Sequence, residues 1–268
     1  MNHLFVFVDF SETSILAFNQ ALAIAEYKGS KISICHIVAN LTKEIQAAVE
    51  LKLKPFIETA QKKGVKLDSV IVEGELFETA KSVVTRLKPD LIVVGTHGRD
   101  GIHLRLFGSA IHKLVREVPA PSLVLGKTCS IMRSGFRKVL VPASSQPAYL
   151  IQVERACELL APDGEITLFA IENANFPVDN ASMVNMDNAR ELLEARNVKW
   201  KYVEVQAKPH QTGMAAQTLE YILSEKIEMI AIAAEIAERF RHFGKLDKEA
   251  ILLNEDGIKV LCVNRQLV

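Results

Sequence analysis

No stretch of this 268-residue chain approaches the ~20 consecutive apolar residues that a membrane helix needs. The longest candidate, "MIAIAAEIA", is short and carries Glu235. The opening "MNHLFVFVDFSE" lacks the basic, long apolar and small-residue regions of a signal peptide. Charge of one sign is missing as well: Lys+Arg and Asp+Glu are both 32, so the basic excess of a nucleic-acid surface is absent. The four cysteines (Cys35, Cys129, Cys157, Cys262) form no C-x-x-C pair. Cys35 and Cys262 lie in apolar runs, where a buried reduced thiol is expected. These absences predict a cytoplasmic protein with no membrane or nucleic-acid partner. Three active-site motifs are also missing: G-x4-G-K-[ST], a G-x-G-x-x-G after the first strand, and G-x-S-x-G.

What is present is an alternation of short apolar runs with longer helical ones. "LFVFVDF", "KISICHIV", "KLDSVIV", "DLIVVG" and "PSLVLG" read as five strands, with helices between them. Such an order implies right-handed crossovers and a mainly parallel sheet covered on both faces. The pattern then restarts. "FRKVLVPASS", "GEITLFAIEN", "VKWKYVEVQ", "KIEMIAIAAE" and "GIKVLCVN" repeat the five strands at a distance of roughly 135 residues, far beyond solenoid periods. The spacing predicts two tandem α/β domains, 1–128 and 136–268, joined by "KTCSIMRSG".

The segment after "DLIVVG" concentrates the chemistry. Gly95, Gly98 and Gly108 follow the spacing G-x2-G-x9-G, and Ser109 comes next. Glycines just beyond a strand allow tight turns and close backbone approach, and successive N–H groups there form an anion nest. Ser109 suits the cap of the helix "SAIHKLVRE", whose N-terminus would add partial positive charge. Phosphate binding is therefore expected. Asp9, closing the first strand ahead of Ser11, reads equally well as turn chemistry or as a ligand contact until the glycine motif favours the ligand. His97, His103 and His112 lie six and nine residues apart, which matches no helical metal pair, so no metal site is assigned.

"GTHGRDGIHLRLFGS", "VFVDFSETS" and "ISICHIV" resemble the motifs of the ATP-binding branch of the universal stress protein family. The resemblance covers both halves, as in tandem-type members. It implies an α/β, adenine nucleotide alpha hydrolase-like fold: two open, mainly parallel five-stranded sheets with helices on both faces. Family members commonly pair through their last strands, which here would join "PSLVL" to "IKVLCV" as an intramolecular pseudo-dimer. A homodimer is left open. By the resemblance, Phe7 and Val8 line a base pocket, Asp9 sits beside adenine and ribose, and Ile37 offers its backbone to the adenine edge. Gly95, Thr96, His97, Gly98 and Arg99 would wrap the phosphates, and Gly108, Ser109 and Ala110 would close them. The ligand would be ATP, ADP or AMP, with Mg²⁺ accompanying ATP. Phe7 and Ile37 depart from the family's usual proline and valine.

In the second half Ala233 stands for Gly95, Ile236 for Gly98, and Ala143 or Ser144 for Asp9. One nucleotide site, in the first half, is expected. The role implied is that of a stress-response sensor or regulator with an unidentified protein partner. No catalytic residue is assigned. The rival readings are a slow ATPase or phosphotransferase, which lacks an evident base, and a nucleotide-free scaffold.

Overall fold

The computed structural model describes residues 1–96, 109–172, 178–208, 214–234 and 250–264. The first half runs β1 (His3–Phe7), α1 (Glu12–Lys28), β2 (Lys31–Val38), α2 (Lys43–Lys62), β3 (Leu67–Glu73), α3 (Leu76–Leu87), β4 (Leu91–Gly95), α4 (Ser109–Glu117) and β5 (Ser122–Leu125). The second runs β6 (Phe136–Pro142), α5 (Tyr149–Leu159), β7 (Leu160–Glu172), α6 (Asn180–Ala195), β8 (Lys199–Gln206), α7 (Ala215–Glu225), β9 (Met229–Ala233) and β10 (Lys259–Val263).

The expected strands all form, and they make one sheet of order β3-β2-β1-β4-β5-β10-β9-β6-β7-β8. Each half contributes five parallel strands. The two sets meet where β5 and β10 pair antiparallel, with Leu123 opposite Leu261 and Val124 opposite Val260. The two expected sheets are thus continuous, joined by the strands that the resemblance would pair.

Alternation along the central strands sorts side chains to two cores. Leu4, Val6 and Val8 face α1 and α2, whereas Phe5 and Phe7 face α3 and α4. Each core crosses the seam: Leu123 and Leu261 belong to one, Val124 and Val260 to the other. The outer strands β3 and β8 consist only of exposed and half-buried residues, as sheet edges do. Local signals set the helix starts. Ser11 accepts from the Ser14 N–H to begin α1, and Thr42 accepts from Ile45 to begin α2.

The connection between the halves is strapped down. Gln20, fully buried on α1, donates to the Met132 carbonyl and accepts from its N–H, both at 2.9 Å. Across the seam, Asn264 donates to the carbonyls of Val115 (2.9 Å) and Val118 (2.6 Å). These belong to the end of α4, whose last carbonyls have no partner within the helix. No disulfide links the four cysteines, and burial pushes the Cys35 thiol up to about 12, so it stays protonated.

Asn264→Ala would strip the Val115 carbonyl of its Asn264 donor and leave the Val118 carbonyl with only the Ala120 N–H. The expected loss is about 1–3 kcal/mol. A fall in Tm of roughly 5–10 °C in a thermal melt is the check.

Candidate functional site

In the first half the chain runs outward from β1 to β3, then crosses back to β4 on the other side of β1. Ligands of open α/β sheets collect at such a reversal, beyond the carboxyl ends of the strands. Here the ends of β1 and β4 present Phe7, Val8, Asp9, Gly95 and Thr96, with Ile37 nearby on β2.

The turn after β1 is tightly built. Asp9 Oδ1 accepts from the Ser11 N–H at 3.0 Å and from its hydroxyl at 2.5 Å. Ser11 Oγ in turn accepts from the Ser14 N–H at 3.2 Å, so Asp9 holds the residue that caps α1. Between them Phe10 has φ = 65°, which is rare for a bulky residue. Packing holds it there: its ring centroid lies 4.7 Å from that of His36 and 6.2 Å from that of Phe56.

His36, inside the apolar run of β2, is a satisfied histidine that holds this edge. Its Nδ1 lies 2.6 Å from the Val8 carbonyl oxygen. A carbonyl only accepts, so Nδ1 carries the proton and Nε2 is the lone-pair nitrogen of the neutral ring. Burial lowers the His36 pKa, opposed by that hydrogen bond and by Asp9, and assisted by Lys52. The ring therefore braces the end of β1 as a neutral group.

Gly95 has a local structural reason. A Cβ on it would lie 2.5 Å from the Thr13 carbonyl oxygen, in the first turn of α1. Gly95 also pairs with Leu125, and the Thr96 N–H donates to the Leu125 carbonyl at 2.9 Å. Thr96 is buried, as are the side chains of Phe7, Val8 and Ile37, which belong to the two cores. What these three leave toward the strand ends is chiefly backbone. Within the described residues α4 spans Ser109–Glu117, the helix expected from "SAIHKLVRE". His97, Gly98, Arg99 and Gly108 lie outside the described residues, and for Ser109 and Ala110 only the backbone is described.

The second half repeats the frame with other residues. The Ala143 N–H donates to the Phe169 carbonyl (2.7 Å) as Val8 does to Cys35 (2.9 Å). That register puts Ser144 at the place of Asp9, Ala170 at that of His36, and Pro142 at that of Phe7. The Ser144 hydroxyl accepts from the Gln146 N–H at 3.3 Å, a weak echo of the Asp9 turn. The Ala234 N–H reaches the Val263 carbonyl at 2.8 Å as Thr96 reaches Leu125, so Ala233 stands where Gly95 does. Ile236 lies outside the described residues. Among the described residues no group of three or more His, Cys, Asp or Glu side chains converges as metal ligands. Nor is any helix among them long and apolar enough to cross a membrane.

Residues 1–126 match the universal stress protein family. A Staphylococcus aureus (strain USA300) protein named for that family is 26% identical over 140 residues, covering 46% of this chain and 82% of the relative. The solved structure of a universal stress protein from Archaeoglobus fulgidus DSM 4304 is similar along the whole length. Its TM-score is 0.72 at 14% identity, covering 98% of each chain. A functionally unknown protein from Pseudomonas aeruginosa PAO1 gives a TM-score of 0.61 at 14% identity, covering 98% of this chain and 92% of its own. At these identities the structural likeness establishes the fold.

Two outcomes are expected at this edge. Gly95→Ala forces the Thr13 backbone to move and should destabilise the chain by about 1–3 kcal/mol in urea unfolding. Ala233→Gly, in the second half, should cost no more than about 1 kcal/mol. Separately, His36 should titrate by NMR below the ordinary value of about 6.5. Because its folded pKa is depressed, its contribution to stability is complete above that ordinary value. That contribution is lost as pH falls toward the folded value, so the urea midpoint should drop between about pH 7 and pH 5.

Proposed function

We propose that this chain is a tandem-type universal stress protein that binds one adenine nucleotide, ATP, ADP or AMP, in residues 1–128. Residues 136–268 are a degenerate copy of the same domain. The observation that carries this reading is the contrast between the two strand-order reversals. On matching hydrogen-bond frames, one offers Asp9 and Gly95 and the other Ser144 and Ala233. The family match of residues 1–126 supports it on the same side of the chain.

In this reading the Asp9 carboxylate accepts from the ribose hydroxyls, while Ile37 meets the adenine edge through its backbone. The run from Gly95 to Arg99, with Gly108 and the start of α4 at Ser109 and Ala110, would supply N–H donors and positive potential to the phosphates. Mg²⁺ accompanies ATP by offsetting phosphate charge. The reading is one of binding rather than turnover, because phosphoryl transfer needs a group that orients the attacking water and no such base is assigned. The protein would act in the cytoplasm as a nucleotide-dependent sensor or regulator, its ordered glycine segment offered to a protein partner.

Denaturing the protein purified without added nucleotide, and resolving the supernatant by anion exchange, should yield near one adenine nucleotide per chain. Asp9→Ala should weaken calorimetric binding of ATP with Mg²⁺ by about tenfold or more, and Ser144→Ala should leave it unchanged. No nucleotide, together with no binding of added ATP, would replace this reading with a scaffold; two per chain would mean a working second site. Phosphate release above that of Gly98→Lys would mean a slow ATPase or phosphotransferase.

A further inference from the structure

Among the described residues, the two halves differ in side-chain chemistry on one outer face. On α6, Met183, Met186, Asp187 and Arg190 follow the spacing 3, 4 and 7 and so share one side of the helix. On β8, Trp200, Tyr202 and Glu204 alternate and share one side of the strand. Across the ladder, Leu168 lies opposite Tyr202, and Glu172 ends β7 on the same face. These side chains line a groove of about 500 Å³. That volume falls within the range of about 300–1,000 Å³ usual for small-molecule sites.

The equivalent space in the first half is filled. The strand registers put Ile71 at the place of Glu204, Val38 at that of Glu172, and His36 at that of Ala170. There Phe10 packs against both His36 and Phe56, and Ile71 and Val38 pack on the core. The second half thus removes apolar filling and installs carboxylates over an aromatic floor. Met183 is 52% and Tyr202 46% exposed, so large apolar surface is left uncovered along the groove.

Charge selects what fits. Glu172, Asp187 and Glu204 face one guanidinium, and Arg190 Nη1 already lies 3.8 Å from Asp187 Oδ1. Lys201, on the opposite side of β8, is paired with Glu165 at 3.0 Å. Glu172 accepts from the Gln206 side-chain amide, and Glu204 accepts from the Tyr202 phenol. The two carry their negative charge on either side of that phenol, with no cation among the described residues paired to them in the groove. Burial and these two carboxylates push the Tyr202 hydroxyl well above its ordinary range, a sign of concentrated negative potential.

We propose that the groove between α6 and β7–β8 binds a small organic cation with an apolar or aromatic body. The ammonium sits between Glu172 and Glu204 against the Tyr202 ring, where carboxylates and a π-face attract it together. The body lies on Trp200 and the two methionines, whose pliable thioethers adapt to its shape. This site is separate from the nucleotide reading and does not depend on it.

Trp200 is the only tryptophan in the chain, so its emission reports on the groove. The full chain is titrated with phenethylammonium, with its neutral isostere 2-phenylethanol, and with 3-phenylpropionate. The amine should give a saturable change at a concentration about tenfold or more below that of the alcohol, and the carboxylate none. Glu172→Gln combined with Glu204→Gln should bring the amine down to the alcohol's level, with an unchanged circular dichroism spectrum. Should that pair fail to fold, Glu204→Gln alone should weaken the amine and spare the alcohol. Equal binding of amine and alcohol would overturn the proposal. So would indifference of the amine to the carboxylate variants, or no saturable change up to ~10 mM.

Discussion

The antiparallel contact of β5 with β10 is the constraint on which the rest of the molecule depends. Both strands are short and fully buried, and each would otherwise be an exposed edge of its own five-stranded sheet. Pairing them closes both edges at once and makes each hydrophobic core continuous through Leu123 and Leu261 on one face, Val124 and Val260 on the other. The same contact fixes direction. Because β4 runs parallel to β5 and β9 parallel to β10, the carboxyl ends of the two strand sets point to opposite sides. The two strand-order reversals therefore lie apart, and neither can complete the other.

That separation lets the halves diverge independently while the frame stays common. The hydrogen bonds of Val8 and Ala143, and of Thr96 and Ala234, are near copies of each other. The groups hung on them are not. Asp9 becomes Ser144, His36 becomes Ala170, and the aromatic cluster of Phe10, His36 and Phe56 gives way to an open groove over Trp200 and Tyr202. Backbone pairing is indifferent to side-chain chemistry as long as the inward positions stay apolar. The outward and strand-end positions are where substitution is cheap.

The strands, their order along the chain and the repeat were legible because burial on both faces turns a strand into a short apolar run. The final-strand pairing came from family likeness, since no local pattern says which edge meets which. Contacts between distant residues were not legible. Nothing in the local sequence says that Thr13 crowds Gly95, that His36 bonds the Val8 carbonyl, or that Phe10 takes a positive φ. The choice between Ala143 and Ser144 needed the strand register. "VKWKYVEVQ" showed its alternation plainly, yet only α6 packed above it reveals that one side encloses a groove.

Gly95 shows how a structural and a ligand-directed explanation can be one. Its missing Cβ is required by the close approach of α1, so glycine at that position is not by itself a sign of phosphate. Yet the frame does not impose the approach, because Ala233 sits at the same register in the second half. The difference lies in the helix that follows the first strand. Ser11, held by Asp9, caps α1 so that it begins at Glu12. In the second half Gln146 takes Ser11's place, and α5 begins only at Tyr149, without a side-chain cap. In equivalent positions that is two residues later. The Ser11 cap, held by the Asp9 carboxylate, thus begins the helix whose first turn lies against the end of β4. Asp9 and Gly95 are two ends of a single arrangement that narrows this edge in the first half, and Ser144 and Ala233 occupy their places in the second.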